Sequence, residues 1–172
     1  MRQVEKLTDI GFVDVHKVVY PEMHVSAYMY AERKGKNSVA FICYDEEAGE
    51  ILVNCEYKPP EDVFITGAFG GSIDSDKMLD EIVVAETKEE AGFVVSREDV
   101  AYVGKQFVST QMNQWCYLFL VFVNKKDQQE REPENAIEAM ACTTWMKPDR
   151  VAILDDWKAI CIVEKAKSKA LI

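Results

Sequence analysis

Apolar residues in this chain come in short alternating runs separated by clusters of Gly, Pro, Asn and Asp, the rhythm of strands joined by turns. Between Phe12 and Arg33 the run VDVHKVVYPEMHVSAYMYAER alternates, and Pro21 interrupts it, so two strands are predicted. A turn at GKN (35–37) leads into SVAFICYD, a strand apolar enough to be central, then a hairpin turn at DEEAGE and a further strand, ILVNCEYK. The proline pair and glycine-rich approach of YKPPEDVFITGAFGG follow. Beyond the segment at 77–91, REDVAYVGKQFVST and NQWCYLFLVFVN predict a second hairpin bending at TQMN, with Trp115, Tyr117 and Phe119 on one face as packing residues.

Two stretches change period. From Lys77 to Ala91 the spacing is helical, opened by the paired glycines Gly70 and Gly71 and closed by Gly92, where a left-handed cap is expected. Leu79, Val83, Glu86 and Glu90 share a stripe with Ile82 and Glu89 beside it, so an apolar start gives way to an acidic end. The end of a helix carries partial negative charge, and each carboxylate placed there costs roughly 0.3–1 kcal/mol. Glu86, Glu89 and Glu90 therefore predict a positive partner, and a hard divalent cation such as Mg²⁺ suits carboxylate and carbonyl oxygens. At the end of the chain, DDWKAICIVEKAKSK predicts a closing helix capped by Asp149 or Asp155, with Trp157, Ile160, Cys161 and Glu164 at helical spacing. Between them, Asn124–Glu138 is the most polar stretch and reads as a loop, after which AMACTTWM returns as a strand.

Composition narrows the function classes. With 172 residues, 48% of them hydrophobic, the chain is expected to form a single domain with a real core. No apolar run reaches membrane-span length and the charged start MRQVEKLTDIGF is unlike a signal peptide, so a cytoplasmic protein is expected. The cysteines Cys43, Cys55, Cys116, Cys142 and Cys161 lie singly and mostly in apolar runs, which reads as reduced core cysteine. A net charge of −10 argues against nucleic acid or anionic membrane as partners, and requires a metal or a local basic patch if an anion is to be held. His16 and His24, the only histidines, lie in the strand-like region and are assigned structural roles.

The stretch GGSIDSDKMLDEIVVAETKEEAGF resembles the Nudix box, G-x5-E-x7-R-E-U-x-E-E-x-G-U with U aliphatic: Gly71, Glu86, Glu89, Glu90 and Gly92 match. Lys77 stands at a Glu position, Ala85 at the Arg, Thr87 at an aliphatic position, and Phe93 is a mild change at the last. Tyr57-Lys58-Pro59-Pro60 before a short strand is similar to the QYR-P lead-in of ADP-ribose pyrophosphatases and nucleoside-diphosphate-sugar hydrolases. The proline that those relatives carry near the later bend is replaced by Val108 or Ser109, whereas the closing helix again looks like their D-x-K-T-I segment.

The resemblance implies an α/β fold, a Nudix-type α/β/α sandwich with a mixed β-sheet, and a metal-dependent hydrolase of a nucleoside diphosphate linked to another moiety. It implies Mg²⁺ or Mn²⁺ on Glu86, Glu90 and the carbonyl of Gly70, with Glu89 assisting catalysis and Lys58 meeting phosphate. Relatives place the water-activating base on a mobile acidic loop; Glu130, Glu132, Glu134 and Glu138 are candidates, and counting back from Ile137 favours Glu134. A homodimer built through the N-terminal strands is implied as well. Ala85 removes a cation that would sit one turn from Glu81 and Glu89, so the carboxylates should titrate high and bind metal less tightly at neutral pH. Lys77 would be about 13 Å from Glu86 along a continuous helix, and reaches the site only if the preceding loop folds back. The alternative function is a catalytically impaired Nudix-fold protein that binds a nucleotide or a protein partner.

Overall fold

The structure, a computed structural model, describes residues 3–8, 11–23, 27–33, 35, 37–73 and 75–172. Its strands are β1 (Gln3–Lys6), β2 (Val13–Val19), β3 (Tyr28–Arg33), β4 (Ser38–Asp45), β5 (Glu50–Lys58), β6 (Val63–Gly67), β7 (Phe69–Ser72), β8 (Val100–Ser109), β9 (Met112–Phe122) and β10 (Cys142–Met146). The helices are α1 (Leu79–Glu86), α2 (Ala136–Met140) and α3 (Trp157–Ser168). The strands join one mixed sheet in the order β1-β2-β3-β9-β4-β5-β10, with β6 on β5, β7 on β4 and β8 on β9. β9 runs parallel to β3 and β4; the other pairs are antiparallel.

SVAFICYD is central because both its faces are covered. Ala40 and Ile42 join Ile51, Val53, Leu118 and Leu120 on one face, while Val39, Phe41 and Cys43 join Leu52, Phe119 and Val121 on the other. Alternate residues of three adjacent strands thus feed two separate cores, as a strand buried on both sides requires. α3 covers the first core and α1 the second, giving the helix–sheet–helix layering that the sequence predicts. Tyr117 and Phe119 pack into the second core, whereas Trp115 remains partly exposed against Phe107. His16 stacks on Tyr30 in the β2–β3 hairpin, far from the box helix in the sheet order; His24 and Lys36 lie outside the described residues.

Several boundaries differ from expectation for physical reasons. α3 buries Ala159, Ile162, Val163 and Ala166 completely, and Trp157, Ile160 and Cys161 only flank that face, because small alanines let the helix approach the sheet closely. Its N-cap is Asp156, in place of Asp149 or Asp155: Oδ1 accepts the Lys158 N–H at 3.1 Å and Oδ2 the Ala68 N–H at 2.7 Å. A Cβ on Gly67 would fall 2.2 Å from Asp156 Oδ2, so only glycine leaves room for this tie. The polar stretch contains α2, capped by Asn135, whose Oδ1 accepts the Ile137 and Glu138 N–H groups at 2.9 and 3.0 Å. The returning strand accordingly starts at Cys142 rather than Ala139. Of the cysteines, Cys43 and Cys116 are buried, but Cys142 is exposed and Cys55 and Cys161 are partly so.

Candidate active site

The box helix is built in two parts. α1 begins at Leu79, two residues later than predicted, with Glu81 Oε2 accepting the Met78 N–H at 3.0 Å and Asp80 and Glu81 meeting the positive end of the helix. After Glu86 it widens into a π turn, Thr87–Ala91, which Gly92 ends in the left-handed region at φ 75°. Thr87 is tolerated at its aliphatic position because it is wholly buried with its hydroxyl donated to the Val83 carbonyl at 2.6 Å.

The end carbonyls of this helix find partners in the polar loop. Gln129 N–H donates to Gly92 at 2.7 Å, Glu132 N–H to Glu89 at 3.0 Å, and the Gln128 amide to Ala91 at 3.1 Å. A side chain at Gly92 would meet the Gln129 carbonyl at 2.4 Å, so this glycine serves both the helix cap and the loop contact. The loop is thereby held against the acidic end of the helix, and its own glutamates are brought to the site.

All six residues singled out from sequence, Lys58, Gly70, Glu86, Glu89, Glu90 and Glu134, line one cleft of about 610 Å³. Gly70 N–H donates to Glu90 Oε2 at 3.2 Å. Ile73 N–H donates to the Asn37 carbonyl at 3.1 Å, and β4 and β7 then pair Ala40 with Gly70 out of the bonded phase. Both polar groups of Gly70 therefore point away from β4, with its carbonyl on the same side as the Glu90 carboxylate. Gly71 is forced to be glycine, since a Cβ there would lie 2.0 Å from Glu86 Oε1.

The four loop glutamates differ in their surroundings. Glu132 pairs with Lys88 at 2.9 Å, and Glu130 is not among the residues that line the cleft. Glu138 lines it, but one oxygen accepts the Glu134 N–H at 2.8 Å and the other the Asn135 amide. Glu134 lines it with no hydrogen bond to its carboxylate among the described residues.

Six glutamates and four basic side chains, Arg33, Lys58, Lys77 and Lys158, line the cleft among the described residues, leaving it net acidic. Lys58 is engaged with Glu56 at 2.5 Å. The segment before α1 does fold back: Lys77 lines the cleft and its charge favours the ionised form of Glu89. Burial first, then the Glu90, Glu89, Glu134 and Glu138 charges, pushes Glu86 up to about 8. Burial also raises Glu90 to about 7, with the Gly70 N–H and Lys158 opposing and Glu56 and Glu138 adding to the rise. Glu89 is raised by burial and by Glu134 and Glu138. Crowded carboxylates short of positive charge, with the Gly70 carbonyl turned to their side, are donors of the kind a hard divalent ion takes. Among the described residues no three His, Cys, Asp or Glu side chains already converge tightly enough to hold an ion alone. The donor chemistry fits a hard divalent ion.

Sequence reading missed Glu56, Lys158 and Arg33. Lys158 had a signal, a cation in the first turn of a helix where the dipole disfavours it. Glu56 lies two residues before Lys58 and so shares its face of β5. Arg33, on β3 and hydrogen-bonded to the Ser72 hydroxyl, had no local signal.

A family model described as the NUDIX domain matches residues 34–163. No curated protein matches. Among solved structures, a crystal structure of an ADP compounds hydrolase is similar at 14% identity and a TM-score of 0.74, covering 98% of this chain and 92% of that one. At that identity the likeness establishes the fold, while the family model spans most of the chain. The chain therefore belongs to the Nudix domain family, the family of the Nudix pyrophosphohydrolases.

Proposed function

We propose that residues 1–172 act as one Nudix unit, a pyrophosphohydrolase that cleaves the diphosphate of a nucleoside diphosphate linked to another moiety, of the ADP-ribose or nucleotide-sugar type. The observation that carries this is the single cleft in which Glu86, Glu89, Glu90 and Glu134 face Lys58, Lys77, Lys158 and Arg33. The solved structure of similar fold is of a hydrolase of ADP compounds, which supports the same substrate class. Glu86, Glu90 and the Gly70 carbonyl would hold Mg²⁺ or Mn²⁺, with Glu89 beside them. When bound, the ion supplies charge neutralisation at phosphate oxygens and lowers the pKa of water.

The chain's own groups do the rest. Lys77 and Lys158 have no ion-pair partner among the described residues and are free to meet a diphosphate. Lys58 must exchange Glu56 for phosphate, which makes it a weaker contact until substrate arrives. Glu134 accepts a proton from the attacking water at a carboxylate that takes no hydrogen bond among the described residues, whereas Glu138 holds the backbone of Glu134 in place. No helix of the described residues is long and apolar enough to cross a membrane, which accords with a small soluble substrate. A cytoplasmic homodimer, paired through its N-terminal strands, is the form we expect.

Ala85 and the raised carboxylates favour the second reading, a binding protein that has lost turnover. The test is phosphate release with Mg²⁺ or Mn²⁺ at neutral and alkaline pH across ADP-ribose, nucleotide sugars, dinucleoside polyphosphates and nucleoside triphosphates. Turnover of the first two classes supports the hydrolase; binding of a nucleotide without release at either pH supports the alternative.

A further inference from the structure

Cys55 near the end of β5 and Cys142 at the start of β10 are directly opposed in an antiparallel pair, one step beyond Asn54 and Thr143. Opposed residues project from the same face, with Cα atoms about 4.5–5.5 Å apart in either bonding phase. That lies within the roughly 4.4–6.8 Å that a disulfide spans, so the backbone already has the separation the bond requires. Both thiols are free, Cys142 is exposed and Cys55 is partly so. The remaining cysteines offer no such pairing in the strand register: Cys43 faces Leu52 and Val121, and Cys116 faces Ser38 and Gln106. Burial first, and then the Cys55 thiol beside it, raise the Cys142 thiol above its ordinary value, and Arg131, held by its bond to the Ala141 carbonyl, opposes that rise.

We propose that Cys55 and Cys142 form a reversible dithiol–disulfide site that exchanges with low-molecular-weight disulfides. Cys142, the more accessible thiol, loses its proton and attacks one sulfur of the reagent, expelling one thiolate and leaving a mixed disulfide on the protein. Cys55 then loses its proton and attacks the Cys142 sulfur, expelling the second thiolate. Two electrons pass from the protein to the reagent, and the two protons end on the two small thiols. The new bond fastens the edge strand β10, which only Ala141 separates from α2, to β5 beside Glu56 of the cleft. The exchange requires no assumption about the reaction run in that cleft.

The experiment treats the folded protein with oxidised glutathione, alkylates the remaining thiols in denaturant and measures mass and peptide linkage. Expected is loss of two alkylatable thiols out of five, a mass about 2 Da lower before alkylation, and a peptide pair joining Cys55 to Cys142, all reversed by dithiothreitol. Cys55→Ser should instead stop at the mixed disulfide on Cys142, and Cys142→Ser should give no internal bond. Wild-type protein that stays at the mixed disulfide, links a different pair, or keeps all five thiols would overturn the assignment.

Discussion

Replacing Glu90 with glutamine separates the stability of the fold from the chemistry of the cleft. Glu90 is half-buried, and its pKa is pushed up from 4.5 to about 7, chiefly by burial. Between those two values the folded protein holds a proton that the unfolded chain has released, so stability falls as pH rises through that window and stays lower above it. At about 1.4 kcal/mol per pH unit the rise is worth roughly 3 kcal/mol; coupling to Glu86 and access of water to the cleft reduce the usable figure to about 2 kcal/mol. Glutamine cannot ionise, keeps nearly the same volume, and its side-chain carbonyl can still accept the Gly70 N–H. Glu90→Gln should therefore lie within about 1 kcal/mol of the wild type at pH 5 and exceed it by about 2 kcal/mol at pH 9, roughly 4–8 °C in Tm for a chain of this length. If Glu90 holds the ion as proposed, the substitution should also abolish hydrolysis, because it removes that negative charge. The assay is thermal or urea unfolding of both proteins with a chelator at pH 5, 7 and 9, beside phosphate release with Mg²⁺. Stability curves that run parallel from pH 5 to 9 would refute the burial argument, and unchanged turnover would refute the site.

Three other substitutions test separate steps. Glu134→Gln should lower turnover by about 10²–10⁴-fold with little change in metal affinity, and a full rate would move the base to another group. Ala85→Arg should shift the alkaline rise of the pH–rate profile at saturating Mg²⁺ to lower pH by placing a cation one turn from Glu89; identical profiles would count against the charge-deficit account. Gly67→Ala should cost about 1–3 kcal/mol in denaturant unfolding, since the new methyl displaces the Asp156 carboxylate that ties α3 to Ala68; a stability equal to wild type would mean that this cap is dispensable.

Local pattern located most strands and two of the helices because each of those signals is carried by neighbouring residues. SVAFICYD has no polar alternation, and the structure buries it on both faces; Gly92 marks a stop, and its φ is left-handed. What local pattern left out depends on distant contacts. Nothing near Asp156 distinguishes it from Asp155; its role comes from Ala68 and from the space at Gly67, almost ninety residues earlier in the chain. α2 is only five residues long, too short for periodicity to register, and it exists because Asn135 Oδ1 accepts the Ile137 and Glu138 N–H groups of its first turn. The same distinction divides the site. The glutamates were visible as charges placed against a helix dipole, and Lys58 through its motif, whereas Arg33 and Glu56 line the cleft only because the sheet brings β3 and β5 to its walls.

With Lys77 and Ala85 at two positions of the box, the acidic helix persists without the arginine its pattern calls for. Arg97, just beyond the box, pairs with Asp80 at 2.8 Å and Glu81 at 3.4 Å, so the first half of α1 already has its cation. Glu81 is therefore not the partner that Ala85 leaves unmet; the deficit falls on Glu86, Glu89 and Glu90. Lys77, ahead of the helix, offsets the rise of Glu89 through its charge, and Lys158 on α3 offsets that of Glu90. Two separate ammonium groups on flexible stems do not replace one planar guanidinium that could grip a carboxylate with two bonds. The cluster consequently keeps protons near neutrality, with Glu86 at about 8 and Glu90 at about 7. A divalent ion taken up there has to displace those protons, so its affinity should strengthen with rising pH until both carboxylates are ionised. Proton release measured during Mn²⁺ titration at pH 6.5 and 9 would show this directly: release at the lower pH and almost none at the higher follow from the geometry, and equal release at both would contradict it.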